Sequence, residues 1–181
     1  MSIVQALRRL MLRAAGGTVL AGCGTGGAQG WSAAHAQHAA GRSWQLGERV
    51  QSPPLQRLDG SWVDWDTYRG RVLLVQFWAS WCPFCARQNA LLDPFVREHR
   101  HRGMAMMGIS IDTTAEAARA YLSKHGYGFE SGMVTPAWQA IFRQRKGLPQ
   151  LFVFARDGRL VQIELGEMLE EEVAELARHL S

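Results

Sequence analysis

The sequence predicts an α/β sandwich built around a mixed sheet. Residues 71–78 and 104–111 are near-continuous apolar runs, as in strands that are buried on both faces. The segments that follow both runs repeat apolar residues at helical spacing, so helices are expected to connect the strands. Residues 151–155 and 160–164 flank an Asp-Gly turn at 157–158, which is a hairpin signal and makes part of the sheet antiparallel.

The remaining elements follow from turns, caps and periodicity. Residues 50–58 and 61–63 are predicted as extended segments around a turn at Asp59-Gly60. Four amphipathic segments are predicted as helices, over residues 82–101, 114–126, 136–146 and 167–180. After the N-terminal extended segments, the predicted order is therefore β, α, β, α, α, β, β, α.

The distribution of charge limits the class of partner. The chain has 181 residues and a formal charge of +4, but residues 1–47 hold four arginines and no acid. From Glu48 onward, 16 basic and 16 acidic residues cancel. Because the excess positive charge lies on the four arginines of residues 1–47, which precede the predicted folded domain, a nucleic-acid-binding domain is disfavoured and no nucleic-acid partner is expected.

Residues 1–22 have the features of an export signal. A basic start precedes an apolar stretch that is far too short to span a bilayer. The run Leu-Ala-Gly-Cys at 20–23 resembles the lipobox of bacterial lipoproteins, which predicts lipidation of Cys23 and a membrane anchor. The alternatives are that Cys23 is an incidental thiol, or that a signal peptidase cleaves after Ala36. The pair Arg8-Arg9 keeps a twin-arginine route open beside the Sec route.

Residues 23–43 are rich in Gly, Ala and Ser and carry almost no charge, a composition that predicts a flexible tether. His35 and His38 lie in this segment without further metal ligands nearby, so linker composition explains them better than a metal site. The chain is therefore predicted to comprise an export signal, a tether at 23–43 and a folded domain at 44–181.

The sequence Trp81-Cys82-Pro83-Phe84-Cys85 lies between a buried strand and the start of a helix. Two cysteines at i and i+3 in a first helical turn can form a disulfide, and the positive helix end favours a thiolate on the first. Cys82 is expected to be the exposed nucleophile, and the more buried Cys85 is expected to resolve the mixed disulfide. Half a zinc site and two structural thiols are the alternatives. A zinc site needs further Cys or His ligands that the sequence lacks, so no metal and no cofactor beyond the redox-active pair are predicted.

The domain at 44–181 resembles the TlpA/ResA-like thiol–disulfide oxidoreductases of the thioredoxin superfamily. The matching motifs are Phe77-Trp78-Ala79-Ser80-Trp81-Cys82, Leu58-Asp59-Gly60, Arg69-Gly70-Arg71 and Gly108-Ile109-Ser110-Ile111-Asp112. The resemblance implies a thioredoxin-like three-layer α/β/α sandwich with a mixed central sheet and an N-terminal β extension.

Gly147-Leu148-Pro149 matches the cis-proline site of that superfamily. The resemblance implies that Pro149 is cis near the cysteine pair and that the backbone of Leu148 is free to pair with an extended substrate. Trp81, Pro83 and Phe84 are expected to complete this substrate-binding surface. The alternative is a trans Pro149 at the start of an edge strand.

The chain departs from relatives at two positions. Relatives often have a carboxylate on the strand that leads to the cysteines, or a Glu one turn after the second cysteine. Here these positions hold Gln76 and Gln88, which cannot accept a proton as a carboxylate does. The Pro83-Phe84 dipeptide supplies no charge either, so the direction of electron flow stays open.

The resemblance and the leader together imply an exported, lipid-anchored thiol–disulfide oxidoreductase. Its expected partners are thiol- or disulfide-bearing proteins outside the cytosol and an upstream electron donor or acceptor. Reduction of partner disulfides, in cytochrome c maturation or metal-centre assembly, is the first expectation. The alternatives are a disulfide-forming oxidant, a thiol peroxidase of the same fold, and a non-catalytic metallochaperone or binding module.

Overall fold

The computed structural model describes residues 44–142 and 145–181. The predicted export signal, the lipidation site Cys23 and the tether lie outside the described residues. At the start of the described part, the indole Nε1 of Trp44 donates a hydrogen bond to the backbone oxygen of Ile141 at 2.7 Å. Among the described residues, no helix is long and apolar enough to cross a bilayer.

In the part of the chain that the structure describes, seven strands form two sheets. They are β1 (Leu55–Gln56), β2 (Trp62–Val63), β3 (Val72–Trp78), β4 (Met104–Ser110), β5 (Glu130–Met133), β6 (Gln150–Phe154) and β7 (Leu160–Leu165). The central sheet has the order β5-β4-β3-β6-β7, whereas β1 and β2 pair with each other. Strand β3 is parallel to β4 and antiparallel to β6, so the predicted mixed sheet is confirmed.

Helices cover both faces of the central sheet. They are α1 (Pro83–His99), α2 (Ala115–His125), α3 (Pro136–Ile141) and α4 (Glu170–Glu175), with 3-10 turns at Trp65–Tyr68, Arg100–Arg102 and Leu176–Leu180. Because side chains alternate along β3, its residues supply two separate cores. Val72, Leu74 and Trp78 pack with residues of α1, α2 and α4, whereas the odd-numbered side chains pack with α3 and the N-terminal segments. The layers form the predicted α/β/α sandwich.

Strand β5 corrects the sequence prediction, which has no strand between the second and third helices. Its residues Glu-Ser-Gly-Met lack the apolar run that identifies the other strands. They form a strand because parallel pairing with β4 and a bridge from Arg57 to Gly132 satisfy their backbone groups. Gly132 is required for that bridge, since a Cβ there would lie 2.3 Å from the backbone oxygen of Gln56.

Two helices are shorter than predicted. Helix α3 ends at Ile141 rather than at residue 146. Helix α4 begins at Glu170 rather than at residue 167, because the preceding loop makes other hydrogen bonds. In that loop, the N–H of Gly166 donates to the oxygen of Pro149, and the N–H of Met168 donates to a side chain of α1.

The predicted N-terminal β extension is present. Leu55 of β1 lies opposite Val63 of β2, and Gly60 forms the turn between them with a φ of 90°. Two isolated bridges join the extension to the domain, from Arg57 to β5 and from Arg49 to Arg159 near β7. The extension therefore contacts both margins of the central sheet.

Candidate active site

The two cysteines lie where β3 gives way to α1. Cys82 is the N-cap residue of α1, and the two sulfurs are at disulfide distance with a Cα–Cα separation of 5.2 Å. The Cys82 sulfur also accepts a hydrogen bond from the backbone N–H of Cys85 at 3.1 Å. When the pair is reduced, this N–H and the positive helix end stabilise a thiolate on Cys82.

The two cysteines differ less in exposure than the sequence predicts. Cys85 is completely buried, whereas Cys82 exposes 4% of its surface. Cys85 is the more buried of the two, as the sequence predicts, but Cys82 is not the well-exposed thiol that was expected. In the disulfide its sulfur is directed towards Cys85 and the first turn of α1, which accounts for the small accessible area.

Exposed apolar side chains border the pair. Trp81 is 66% exposed and Phe84 is 52% exposed, and Pro83 between the cysteines is exposed as well. The guanidinium of Arg87 lies 4.9 Å from the centre of the Phe84 ring, a cation–π arrangement that orients this ring. These side chains give the start of α1 an apolar, solvent-accessible rim.

The loop before β6 reaches the same end of the sheet. The Leu148–Pro149 peptide bond is cis, as predicted. Gln150 begins β6 opposite Phe77, one residue before β3 ends, so Leu148 and Pro149 lie at the end from which the chain enters the cysteine motif. Among the described residues, the backbone of Leu148 makes no hydrogen bond, which leaves its N–H and C=O able to pair with an extended peptide.

The loop between β7 and α4 completes the site, and sequence reasoning missed it. Leu165 is 56% exposed and approaches Gly147, and the N–H of Gly166 donates to the oxygen of Pro149 at 2.9 Å. Both carboxylate oxygens of Glu167 accept hydrogen bonds from Arg87, at 2.5 and 2.6 Å. These hydrogen bonds lower the pKa of Glu167 and raise the pKa of Arg87. No motif marks this loop, because only tertiary contacts bring it to α1.

Three completely buried amides lie beneath the cysteine pair. Gln88 and Asn89 follow Cys85 by one turn on the buried face of α1, and Gln76 lies on β3. The amide nitrogen of Gln76 donates to the side-chain oxygen of Asn89 at 2.7 Å, and the oxygen of Gln88 accepts from the N–H of Met168 at 2.9 Å. Asn89 was not among the residues predicted to matter.

These amides are only half satisfied. Gln76 Oε1, Gln88 Nε2 and Asn89 Nδ2 are buried without a hydrogen-bond partner. The next carboxylate along this face of α1 is Asp93, two turns beyond Cys85, and it is engaged by Arg97 and by the N–H of Gly128. Along this face of α1, amides rather than carboxylates therefore follow Cys85 by one turn, as the sequence predicts for position 88.

A buried carboxylate fixes the segment that precedes Cys82. Asp112, just beyond the end of β4, accepts hydrogen bonds from the N–H and hydroxyl of Ser80, at 3.1 and 2.7 Å, and from the hydroxyl of Ser110. These bonds hold residues 79–82 in one conformation before the helix begins. Within residues 44–142 and 145–181, no group of three His, Cys, Asp or Glu side chains is placed to hold a metal ion.

A mixed α/β sandwich with a cysteine pair at a helix N-terminus and a cis-proline at the same sheet end defines a thioredoxin-like thiol–disulfide oxidoreductase. The chain belongs to the Redoxin family, whose model matches residues 45–180. The resemblance to the thioredoxin superfamily and to its ResA-like members is thereby confirmed.

Individual relatives agree with this class. The thiol-disulfide oxidoreductase ResA of Bacillus thuringiensis (strain Al Hakam) is 21% identical over 130 residues, covering 71% of this chain and 75% of that protein. The thiol:disulfide interchange protein DsbE of Allochromatium vinosum is 33% identical over 94 residues, covering 51% and 50%. A crystal structure of a thiol:disulfide interchange protein from Chlorobium tepidum TLS matches 74% of this chain and 98% of its own with a TM-score of 0.68 at 20% identity, which supports the fold.

Proposed function

We propose that the protein reduces disulfides of partner proteins outside the cytosol, with Cys82 as nucleophile and Cys85 as resolving thiol. The observation that carries this proposal is the position of Cys82 at the N-terminus of α1, directly ahead of a completely buried Cys85. The free backbone of Leu148 and the exposed rings of Trp81 and Phe84 support an extended, partly apolar substrate segment.

The reaction takes place in two exchanges. The Cys82 thiolate attacks one sulfur of the partner disulfide, so a Cys82–partner disulfide forms and the first partner thiolate leaves. The Cys85 thiolate then attacks the Cys82 sulfur, which forms the Cys82–Cys85 disulfide and releases the second partner thiolate. The partner gains two electrons and two protons, and an upstream dithiol donor must reduce the pair for the next cycle.

The proton of Cys85 has no carboxylate acceptor close along α1. Burial raises the pKa of a thiol, and amides such as Gln76 and Gln88 cannot take up its proton. The departing partner thiolate or water is therefore the acceptor in the second exchange. This makes the resolving step the one that depends most strongly on pH.

Trapping experiments test the assignment of roles. In Cys85→Ser, Cys82 can attack but cannot be released, so mixed disulfides with partner proteins should accumulate. Cys82→Ser is the matched control and should trap almost nothing. Equal trapping by the two variants would contradict the assignment.

The reduction potential of the pair tests the direction of electron flow. Known thioredoxin-fold proteins range from about −270 mV for a reductant to about −120 mV for an oxidant. Equilibration of the full chain with glutathione buffers should give a value near the lower end. A value near the upper end would instead support the alternative, a disulfide-forming oxidant.

Export and lipid anchoring are proposed from residues 1–23 alone. If Cys23 is lipidated, the wild-type protein should fractionate with detergent-soluble membrane material, and Cys23→Ala should not. Recovery of the wild type entirely in the aqueous extract would contradict the anchor, without affecting the trapping result.

A further inference from the structure

Arginines gather at the end of the domain opposite to Cys82. Strand β3 has seven residues, so its two ends lie about 20 Å apart, and Cys82 follows the carboxyl end. Three turns surround the amino end, over residues 69–71, 100–103 and 156–159. We use the name arginine end for the arginines of these turns together with Arg49. They are Arg49, Arg69, Arg71, Arg100, Arg102, Arg156 and Arg159.

Arg156 joins the three turns into one surface. Its guanidinium donates to the backbone oxygen of Gly70 at 3.0 Å, to that of Arg102 at 2.8 Å and to that of Leu180 at 3.2 Å. Its own backbone oxygen accepts from the N–H of Gly70 at 2.9 Å. The segments that carry the arginines are therefore fixed next to one another.

Two shallow pockets connect the arginine side chains. Arg49, Arg69 and Arg71 border a pocket of about 220 Å³. Arg71 also borders a second pocket, of about 210 Å³, together with Arg100. Arg71 therefore borders both pockets, which are also lined by the carboxylates Asp66, Asp157 and Glu130.

Most of this positive charge has no carboxylate partner. Asp66 pairs with Arg69 at 2.9 Å, and Asp157 lies between Arg49 and Arg159 at 3.6 and 3.0 Å. Four arginines make no ion pair within the described residues, and these are Arg71, Arg100, Arg102 and Arg156. Backbone oxygens accept from Arg71 and Arg156, which satisfies their donors but leaves their charge uncompensated.

The opposite end carries a group of glutamates. The segment from the end of β7 into α4 holds five glutamates: Glu164, Glu167, Glu170, Glu171 and Glu172. Of these, Glu167 alone forms an ion pair within the described residues, with Arg87. Charges cancel over residues 48–181, but the seven arginines and these five glutamates lie at opposite ends of the domain. The end with the glutamates also carries positive charge, on Arg87, Arg145 and Lys146.

We propose that the arginine end binds an anionic phospholipid surface. Turns 69–71, 100–103 and 156–159 hold no exposed large apolar side chain, so they lack the anchors of a stable protein interface. Trp65, which borders the first pocket, packs edge-on against Phe154 at 5.0 Å and is not placed to stack on nucleobases. Arginines near an anionic membrane are each attracted to it over about a Debye length.

This binding also orients the molecule. An anionic surface attracts the arginine end and repels the glutamates at the end of the domain that carries the cysteine pair. Cys82 is then directed away from the lipid and towards partners in the aqueous space. The inference concerns a surface outside the redox site and does not depend on the direction of electron flow.

Vesicle binding by the full chain tests the proposal. All chains carry Cys23→Ala, so no acyl chain can attach, and the leader is the same in each. Arg100→Gln with Arg102→Gln removes two side chains that form no ion pair in the described structure. The matched control is Arg119→Gln with Lys146→Gln, which removes the same charge from exposed positions elsewhere. The probe is a vesicle of phosphatidylglycerol and phosphatidylcholine, compared with phosphatidylcholine alone.

The double variant Arg100→Gln with Arg102→Gln should bind the anionic vesicles more weakly than the parent chain at low salt. The expected loss is about fivefold per residue, or roughly 25-fold together. The control should change it less than threefold, and 0.5 M salt should remove the difference. On vesicles, amide hydrogen exchange should slow in turns 69–71, 100–103 and 156–159 but not at residues 166–169.

Equal loss of binding in both double variants would overturn the proposal, as would equal binding to neutral vesicles. Protection at 166–169 instead of the arginine-bearing turns would overturn the orientation. Binding to single-stranded DNA that depends on Arg100 and Arg102, without vesicle binding, would assign the surface to a nucleic acid instead. A negative result for vesicle binding would not affect the result of the cysteine-trapping experiment. The two proposals can therefore be rejected independently.

Discussion

Strand β3 is buried along its whole length, yet the segments around its two ends differ in almost every chemical respect. The carboxyl end leads into an apolar-rimmed cysteine pair, and amides follow Cys85 by one turn of α1. The amino end is surrounded by turns that carry six arginines, with Arg49 beside them, and no reactive group of this kind. An apolar strand thus specifies the core in the same way from end to end, whereas the turns attached to it determine the chemistry of each end.

The largest expected difference between the two ends is in turnover. Cys82→Ser removes the nucleophilic thiolate, so disulfide reduction by the variant should fall by about a thousandfold or more. Arg100→Gln, at the other end, should change turnover by less than twofold because it contacts no reacting group. Reduction of a soluble disulfide substrate measures both. Substantial residual activity in Cys82→Ser would place the nucleophile elsewhere.

A change at the amino end should instead affect stability. Arg156→Leu removes the donors to the carbonyls of Gly70, Arg102 and Leu180, and water can replace them only in part. The free energy of unfolding should fall by about 1–3 kcal/mol, while turnover per folded molecule is unchanged. Urea unfolding measures the first quantity. Arg102→Gln serves as the control, and an equal loss of stability there would show that the hydrogen bonds of Arg156 are unimportant.

Buried amides lie beneath Cys85 in place of a carboxylate. Gln88→Glu keeps an oxygen for the N–H of Met168 and adds a carboxylate one turn from Cys85. Burial raises the pKa of such a carboxyl towards neutrality, where it can accept the Cys85 proton. The resolving step should become about tenfold faster near pH 7 and acquire a new pH dependence. Single-turnover rates from a preformed mixed disulfide on Cys82 measure it.

Gln88→Leu separates structure from proton transfer. It leaves the Met168 N–H buried without an acceptor and should destabilise the fold by about 1–3 kcal/mol, but it should not introduce a new pH dependence. If Gln88→Glu and the wild type have superimposable pH profiles, then position 88 does not govern removal of the Cys85 proton.

The smallest expected effect is on the pH dependence of stability, through the ion pair between Glu167 in the loop before α4 and Arg87 of α1. Hydrogen bonds from Arg87 lower the pKa of Glu167 below its ordinary value of 4.5. A carboxyl with a lowered folded-state pKa stabilises the protein above that ordinary value, and this contribution is lost as the pH falls through the folded-state pKa. Glu167→Gln should therefore be slightly less stable than the wild type at pH 7 and no less stable at pH 3. Urea midpoints at the two pH values measure this, and a constant difference would contradict it.

Sequence reasoning succeeded where one short segment contains all the information. The apolar runs locate β3 and β4, and the cysteine and Leu148-Pro149 motifs locate the cysteine pair and the cis-proline. It missed β5, because Ser131 and Gly132 form a strand only through their neighbours. Likewise, Asn89 and Glu167 carry no motif, and only tertiary packing brings them to the site.

Charge separation is a further property that the sequence conceals. Summed over residues 48–181 the charges cancel, which predicts no particular affinity. The arginines come from four segments that are distant along the chain, and they meet only because Arg156 fixes the turns together. Net charge therefore describes the composition of this domain but not the field at either of its ends.

The bridge between Arg57 and Gly132 has a consequence for the behaviour of the protein in concentrated solution. Strand β5 is the last strand on its side of the central sheet, and an uncovered edge of this kind is a template for pairing between molecules. The N-terminal extension covers part of that edge, and any side chain at position 132 would collide with the Gln56 backbone and displace it. The absence of a side chain larger than hydrogen at Gly132 thus protects the domain against edge-to-edge self-association.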